Sequence, residues 1–231
     1  MKSRRAFLKT SALFSLVLAL PKVVFSTFNK DLSNVLIIGD SISIGYTPFV
    51  QEYLKYRAKV VRPMLESGKP ENCAGTTKGV KEIKRWIGNT KWDVIHFNFG
   101  LHDIKHVNPE TGQNSNNPNH PQQADLKQYK KNLREIVEVL KTTGAKLIFA
   151  TTTPYPENVD GPLRQPGMPE KYNKAAIKIM NKNDIAINDL YLFVKPRMDE
   201  LQRPNNVHFT KAGSKALARK VADRISEALM K

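Results

Sequence analysis

Asn34-Val-Leu-Ile-Ile-Gly-Asp-Ser41 reads as one buried strand that stops at a glycine and hands over to a helix. Four large aliphatic residues in a row, with no polar alternation, suit a strand covered on both faces. The residues from about Ile44 to Lys55 read as the helix that follows. Ser41 thus stands at a strand-to-helix junction. A serine there can cap the helix, a task Asp40 could equally perform. It can also expose its hydroxyl at the sheet edge, with its own N–H at the positive end of the helix dipole. The stretch alone leaves both readings open.

The same alternation recurs along the chain. Further strands are expected over Ala58–Met64, Trp92–Phe99, Ala145–Thr151 and within Ile185–Val194. Helices are expected over Lys78–Ile87, around Leu126, Tyr129, Leu133, Ile136, Val137 and Leu140, over Tyr172–Asn181, and from about Thr210 to Met230. Five strand-helix repeats predict an α/β fold, a parallel sheet covered by helices on both sides. Ligands in such sheets bind beyond the carboxyl ends of the strands. Two long irregular stretches, Val107–Gln123 and Pro154–Pro169, follow strands and are expected to rim the site.

A chain of 231 residues suits one such domain. The single cysteine, Cys73, excludes an internal disulfide and a cysteine-based zinc site. Residues 1–26 read as an export signal, with Arg4-Arg5 resembling a twin-arginine motif and an apolar run from Ala12 to Leu20. The run is too short to cross a bilayer; an uncleaved anchor is the other reading. The protein is therefore expected in the periplasm or outside the cell, with residues 27–231 as the folded domain and the membrane met only during export. Of the net charge of +16, Lys2, Arg4, Arg5, Lys9 and Lys22 lie in residues 1–26, which hold no acid, leaving +11. Such a surface suits an acidic glycan or anionic lipid, and export makes nucleic acid the least expected partner. The basic residues at Lys127, Lys130, Lys131 and Arg134 are scattered along a helix, as on a solvated face.

Asn206-Val-His208-Phe-Thr-Lys-Ala-Gly213 precedes the last helix and supplies a histidine that could serve a serine as base. Taken together, these segments resemble the SGNH (GDSL-type) hydrolase family. Gly39-Asp-Ser-Ile-Ser43 is similar to its nucleophile block and Asn72-Cys-Ala-Gly75 to its second block. Asn98-Phe-Gly-Leu-His-Asp103 stands where the family has Gly-x-Asn-Asp, and Asn205-Asn-Val-His208 where it has Asp-x-x-His. The resemblance runs in block order from about Asn34 to Lys231. It implies a three-layer sandwich on a central five-stranded, flavodoxin-like parallel sheet. It also implies a serine esterase with Ser41 as nucleophile and His208 as base, the N–H groups of Ser41 and Gly75 with His102 forming the oxyanion hole, and no cofactor or metal.

Two positions depart from the family pattern. His102 replaces the asparagine that donates to the oxyanion, and an imidazole N–H can also donate. Asn205 stands at the position of the triad aspartate, and an asparagine orients an imidazole without stabilising its charge. The alternatives are a Ser–His dyad helped by a backbone carbonyl, or a carboxylate such as Asp199 reaching in. Exported members of the resembled family of this size are often carbohydrate esterases, and the sequence has no long apolar lid to shelter a fatty chain. The resemblance therefore implies O-acetyl or similar short esters on a carbohydrate as substrate. A lysophospholipase or thioesterase, and a glycan-binding protein that has lost the chemistry, are the rivals.

The remaining candidates read as structural. His102 and His106 are four apart but lack a glutamate between them for a metal motif. Asp103 is expected to tie down its loop, His96 to be a satisfied core residue, His120 to lack a partner, and Cys73 to be a packing residue.

Overall fold

The computed structural model describes residues 32–230. The segment read as an export signal, 1–26, lies outside them. Five strands form the sheet: β1 (Ser33–Ile38), β2 (Ala58–Val61), β3 (Val94–Phe97), β4 (Lys146–Ala150) and β5 (Ala186–Asn188). All neighbours are parallel, in the order β2-β1-β3-β4-β5. The helices are α1 (Ser41–Leu54), α2 (Thr76–Ile87), α3 (Leu126–Lys141), α4 (Met168–Lys182), α5 (Leu190–Val194), α6 (Met198–Leu201) and α7 (Lys211–Met230). The α/β sandwich expected from the sequence is the architecture found.

The apolar run of β1 serves two cores because side chains alternate along a strand. Val35 and Ile37 pack with Tyr46 and Val50 of α1 and with Leu217, Val221 and Ile225 of α7. Leu36 and Ile38 face the other way, onto Ile83 and Trp86 of α2, Leu133 and Ile136 of α3, and Met180 of α4. All four β1 residues are essentially inaccessible; each contributes roughly 1.5–3 kcal/mol by burial. This rigid centre fixes the point at which the chain leaves the sheet at Gly39.

The strand order reverses between β1 and β3, since β2 lies on one side of β1 and β3 on the other. Such a switch point opens a crevice beyond the strand ends. The segments after β1 and β3 carry Ser41 and His102.

Several element boundaries differ from the sequence expectation. β2 stops at Val61 rather than Met64, β3 covers only Val94–Phe97, and α2 starts at Thr76 rather than Lys78. α1 begins at Ser41 instead of Ile44, because the Asp40 carboxylate accepts the Ile42 N–H at 2.9 Å and caps the helix there. β5, expected within Ile185–Val194, ends at Asn188, since Asp189 accepts the Leu192 N–H and starts α5, whose Leu190, Tyr191 and Val194 are buried while Leu192 is exposed. α4 starts at Met168, with Pro169 in its first turn.

Candidate active site

The junction after β1 resolves the two readings of Ser41. Asp40 is the N-cap, which leaves the Ser41 hydroxyl unused by the helix. That hydroxyl lies 2.9 Å from Nε2 of His208. The two residues are 167 positions apart in sequence and meet because the turn before α7 comes back over the end of β1.

On the far side of the ring, Nδ1 of His208 is 2.7 Å from Oδ1 of Asn206. The expected partner was Asn205, and here the structure corrects the sequence reading. Asn205 is exposed and sits in a left-handed corner of the turn, at φ +49°. Its carbonyl accepts the Asp160 N–H at 2.7 Å. The next residue, Asn206, is carried under the imidazole, where its Oδ1 also accepts the His208 backbone N–H at 2.9 Å. Asp199 lies in α6 and makes no hydrogen bond to His208.

The second block forms the wall opposite. Gly75 is the N-cap of α2 and is buried. Among the described residues the backbone N–H groups of Ser41 and Gly75 donate to no acceptor. A side chain at position 75 would place its Cβ 3.0 Å from the carboxylate of Asp103. That carboxylate accepts the Thr76 N–H at 2.8 Å and the Thr76 hydroxyl at 2.5 Å, so Asp103 ties the loop after β3 to the start of α2. Its second oxygen has no partner among the described residues. Burial pushes the Asp103 carboxyl up to about 7.

The loop after β3 is held tightly where it leaves the sheet. The Phe99 carbonyl accepts from the hydroxyls of Tyr129 and Thr152. Gly100 has φ +151°, and a Cβ there would fall 2.1 Å from the Thr152 hydroxyl. Only glycine fits. His102 follows, half-buried, and burial pushes its imidazole down to about 4, with Asp40 working against the shift and Lys105, Arg164 and His208 adding to it. Burial likewise lowers the His208 value, opposed by Asp40 and assisted by Arg203 and Arg164. Both rings are therefore neutral at neutral pH.

Sequence reasoning missed Arg62. It is 7% exposed, and its guanidinium donates to the carbonyls of Gly39 (3.2 Å) and Glu71 (2.8 Å) and to the hydroxyls of Ser43 (3.0 Å) and Thr47 (3.3 Å). One fork thus joins the turn before Ser41, the first turns of α1 and the loop leading to Gly75. The available signal was a lone charge in the otherwise apolar Val60-Val61-Arg62-Pro63. Glu71 anchors the same loop through Lys78 (2.8 Å) and Arg85 (2.9 Å).

Cys73 is buried, as expected, and burial raises its thiol to about 11, which keeps it protonated. His96 lies in β3, with Nε2 3.1 Å from Asn188 Nδ2 and Nδ1 unpartnered among the described residues. His120 differs from expectation, since its Nδ1 is 2.8 Å from the Ser115 hydroxyl and its carbonyl 2.6 Å from Nδ1 of His106.

The profile of the GDSL-like lipase/acylhydrolase family matches residues 37–216, a span that takes in every block named above. The chain belongs to that family. Among relatives, a GDSL esterase/lipase of Arabidopsis thaliana is 28% identical over 121 residues, which are 46% of this chain and 50% of the plant protein. The chain thus matches about half the length of that relative. Among solved structures, the lipase/acylhydrolase of Enterococcus faecalis superposes with a TM-score of 0.65 at 18% identity, over 85% of this chain and 96% of its own. An acetylxylan esterase of Geobacillus stearothermophilus does so with a TM-score of 0.65 at 18% identity, over 84% and 94%. At these identities the structural likeness establishes the GDSL-family fold, and the chemistry has to be argued from the site itself.

Proposed function

We propose that this GDSL-family chain is a serine esterase that removes O-acyl groups, acetyl groups foremost, from a carbohydrate. The observation that carries the reading is the 2.9 Å separation of Ser41 Oγ and His208 Nε2. It lies in the range of a hydrogen bond along which a hydroxyl proton can be taken. In the first step Ser41 Oγ attacks the ester carbonyl carbon while His208 takes its proton. The negative oxygen so formed is received by the free N–H groups of Ser41 and Gly75 and by an N–H of His102. His208 then protonates the departing alkoxide, leaving the acyl group on Ser41. In the second step His208 takes a proton from water, the hydroxide attacks the acyl-serine, and Ser41 recovers its proton as the acid leaves.

The carbohydrate part of the reading is supported by the likeness in fold to an acetylxylan esterase. It is also supported by the absence, among the described residues, of a long apolar lid over the site. The reading has the enzyme working after export, on the strength of Arg4-Arg5 and the apolar run behind them. Hydrolysis of p-nitrophenyl acetate, butyrate and octanoate by the wild type and Ser41→Ala tests both parts. Turnover that falls with chain length and vanishes in the variant is expected. Equal rates in the two proteins would overturn the esterase reading, and a preference for octanoate would overturn the short-acyl one.

A further inference from the structure

The basic residues of α3 and α4 are dispersed along the sequence and converge in the fold. On α4, Lys171, Lys174, Lys178 and Lys182 follow one another at intervals of three or four residues and so share a face. Across from them α3 presents Lys130 and Arg134. All six line one groove of about 620 Å³ between the two helices. Leu126, Ala175 and Ile179, half-buried or buried, supply the apolar part of its lining. From Lys171 to Lys182 the groove is about 16 Å long, at the rise of an α-helix.

These charges are not balanced within the fold. None of the six makes an ion pair among the described residues. Glu138 is the one carboxylate of the lining, and it pairs with none of them. Glu170, the acid of α4, is engaged by Lys195 and the Tyr191 hydroxyl. Like charges at this spacing weaken a helix. Other helices of the chain set an acid three residues from a base, as Glu52 with Lys55, Glu82 with Arg85 and Glu227 with Arg224. Six cations against one carboxylate leave +5 in the groove, out of the +11 over residues 27–231.

The groove starts on the scaffold of the site. Both helices follow a strand and run back along the sheet, so their first turns lie at the strand ends that carry Ser41 and His102. Leu126 and Lys171 belong to those first turns. One carbonyl joins the two helices to the loop that bears His102. The Phe99 carbonyl accepts from Tyr129 of α3 at 3.0 Å and from the Thr152 hydroxyl at 3.2 Å. Asn173 of α4 clasps Thr152, accepting from its N–H and donating to its carbonyl, each at 2.8 Å.

We propose that this groove holds a linear anionic polysaccharide, the polymer whose ester groups the Ser41 site removes. Lysines placed every turn face a chain that carries an acid on successive sugars, and the apolar lining faces the C–H surfaces of the rings. A lipid surface fits less well, because the exposed large apolar residues Tyr56, Met64, Leu65, Leu192 and Met230 all lie outside the groove. A single-stranded nucleic acid would find no aromatic ring in the lining on which to stack a base. The role of the polymer as substrate rests on the esterase reading, whereas its binding does not.

The test is calorimetric titration of the full chain with a galacturonate oligomer, a sulfated galactose oligomer and a neutral galactose oligomer, all of equal length. None carries an ester, so binding is read apart from turnover. The wild type is expected to bind a charged oligomer about tenfold or more tightly than the neutral one, and added salt to weaken that binding. K174Q/K178Q and K130Q/R134Q are each expected to lower the affinity about tenfold, the scale of two exposed charge contacts. K59Q/K220Q removes two exposed cations outside the groove, on β2 and α7, and is expected to change the affinity by less than about twofold. Groove-dependent binding of either charged oligomer bears the proposal out, and the tighter of the two names the anion. Equal binding of charged and neutral oligomers would overturn it, as would a loss in K59Q/K220Q equal to that in the groove variants. Tighter groove-dependent binding of phosphatidylglycerol vesicles or of a single-stranded DNA oligomer would replace the glycan as occupant. The two groove variants alter different helices, so either decides should the other fail to fold. A chain that binds as expected but lacks Ser41-dependent turnover loses the esterase reading and keeps the groove, and the converse result does the opposite.

Discussion

Oδ1 of Asn206 lies 2.7 Å from Nδ1 of His208 and 2.9 Å from the same residue's backbone nitrogen. A backbone N–H can only donate, so the atom facing it is the amide oxygen. The same oxygen must then accept from Nδ1, which places the imidazole proton on Nδ1 and leaves the lone pair of Nε2 toward Ser41. A neutral side chain thus selects the tautomer that an aspartate would select. It lacks the charge that steadies an imidazolium.

Replacing Asn206 should therefore separate orientation from charge. N206A is expected to lower kcat on p-nitrophenyl acetate about 10²-fold, the scale on which catalytic groups suffer from misplacement. N206D keeps the acceptor and adds the charge, and kcat should rise. N205D, on the exposed corner of the turn, should give no gain. A gain from N205D and none from N206D would return the role to Asn205.

The pH profile follows from the direction of the His208 shift. Its folded value lies below 6.5, chiefly because burial disfavours the charged ring. A base works in its neutral form, so activity is present above that value and is lost as pH falls through it. The acid limb of kcat/KM should therefore have its midpoint below 6.5. In N206D the added negative charge favours the imidazolium and should move the midpoint up.

Arg62 should show its worth in kcat and in stability together. R62Q leaves carbonyls of Gly39 and Glu71 without their charged donor inside the fold. A loss of about 2–4 kcal/mol in urea unfolding is expected. The turn before Ser41 and the loop before Gly75 lose their common tie, so kcat should fall about tenfold with KM little changed. R62K should recover only part, because an ammonium cannot span the same acceptors as a planar fork.

Asp103 should impose a pH dependence of the opposite sense on stability. Its folded value of about 7 is above the unfolded one of 3.8. Between these the folded state binds more protons, so its stability falls as pH rises from about 4 to 7. D103N keeps an oxygen for Thr76 without ionising. The difference in unfolding free energy between D103N and wild type should shift in favour of the variant across that window, by roughly 4 kcal/mol at most. A difference that stays flat from pH 4 to 8 would show that the carboxyl does not titrate there.

The fold was legible because its signal is dense. Val35 to Ile38, buried on both faces, can be little other than a central strand, and four further repeats of the same pattern leave few topologies. Ser41 and His208 were legible as a pair through the resemblance of their blocks. Asn206 was not, because family spacing points to Asn205 and only the left-handed turn at that residue shifts the contact by one position. The end of β5 within Ile185–Val194 was not legible because Leu190–Val194 is apolar enough for either state, and the deciding bond is a single cap from Asp189. For Arg62 the lone charge in an apolar stretch was a signal of burial but not of its partners, and Arg164 carried no such signal. A buried arginine is recognised by what surrounds it, and its partners at Gly39, Glu71 and Leu101 are distant in sequence.

The bond from Asp160 to Asn205 bears on how members of such a lineage can diverge. The rim of the cleft is where a hydrolase alters its appetite for substrates, and loops usually accept insertions freely. Here one end of that rim is fastened to the turn that aligns the imidazole. Added residues between Pro154 and Asp160 leave this fastening in place, whereas additions that pull Asp160 away disturb the base along with the rim. Diversification of this loop is therefore expected to be lopsided, generous before Asp160 and sparing from there to Arg164.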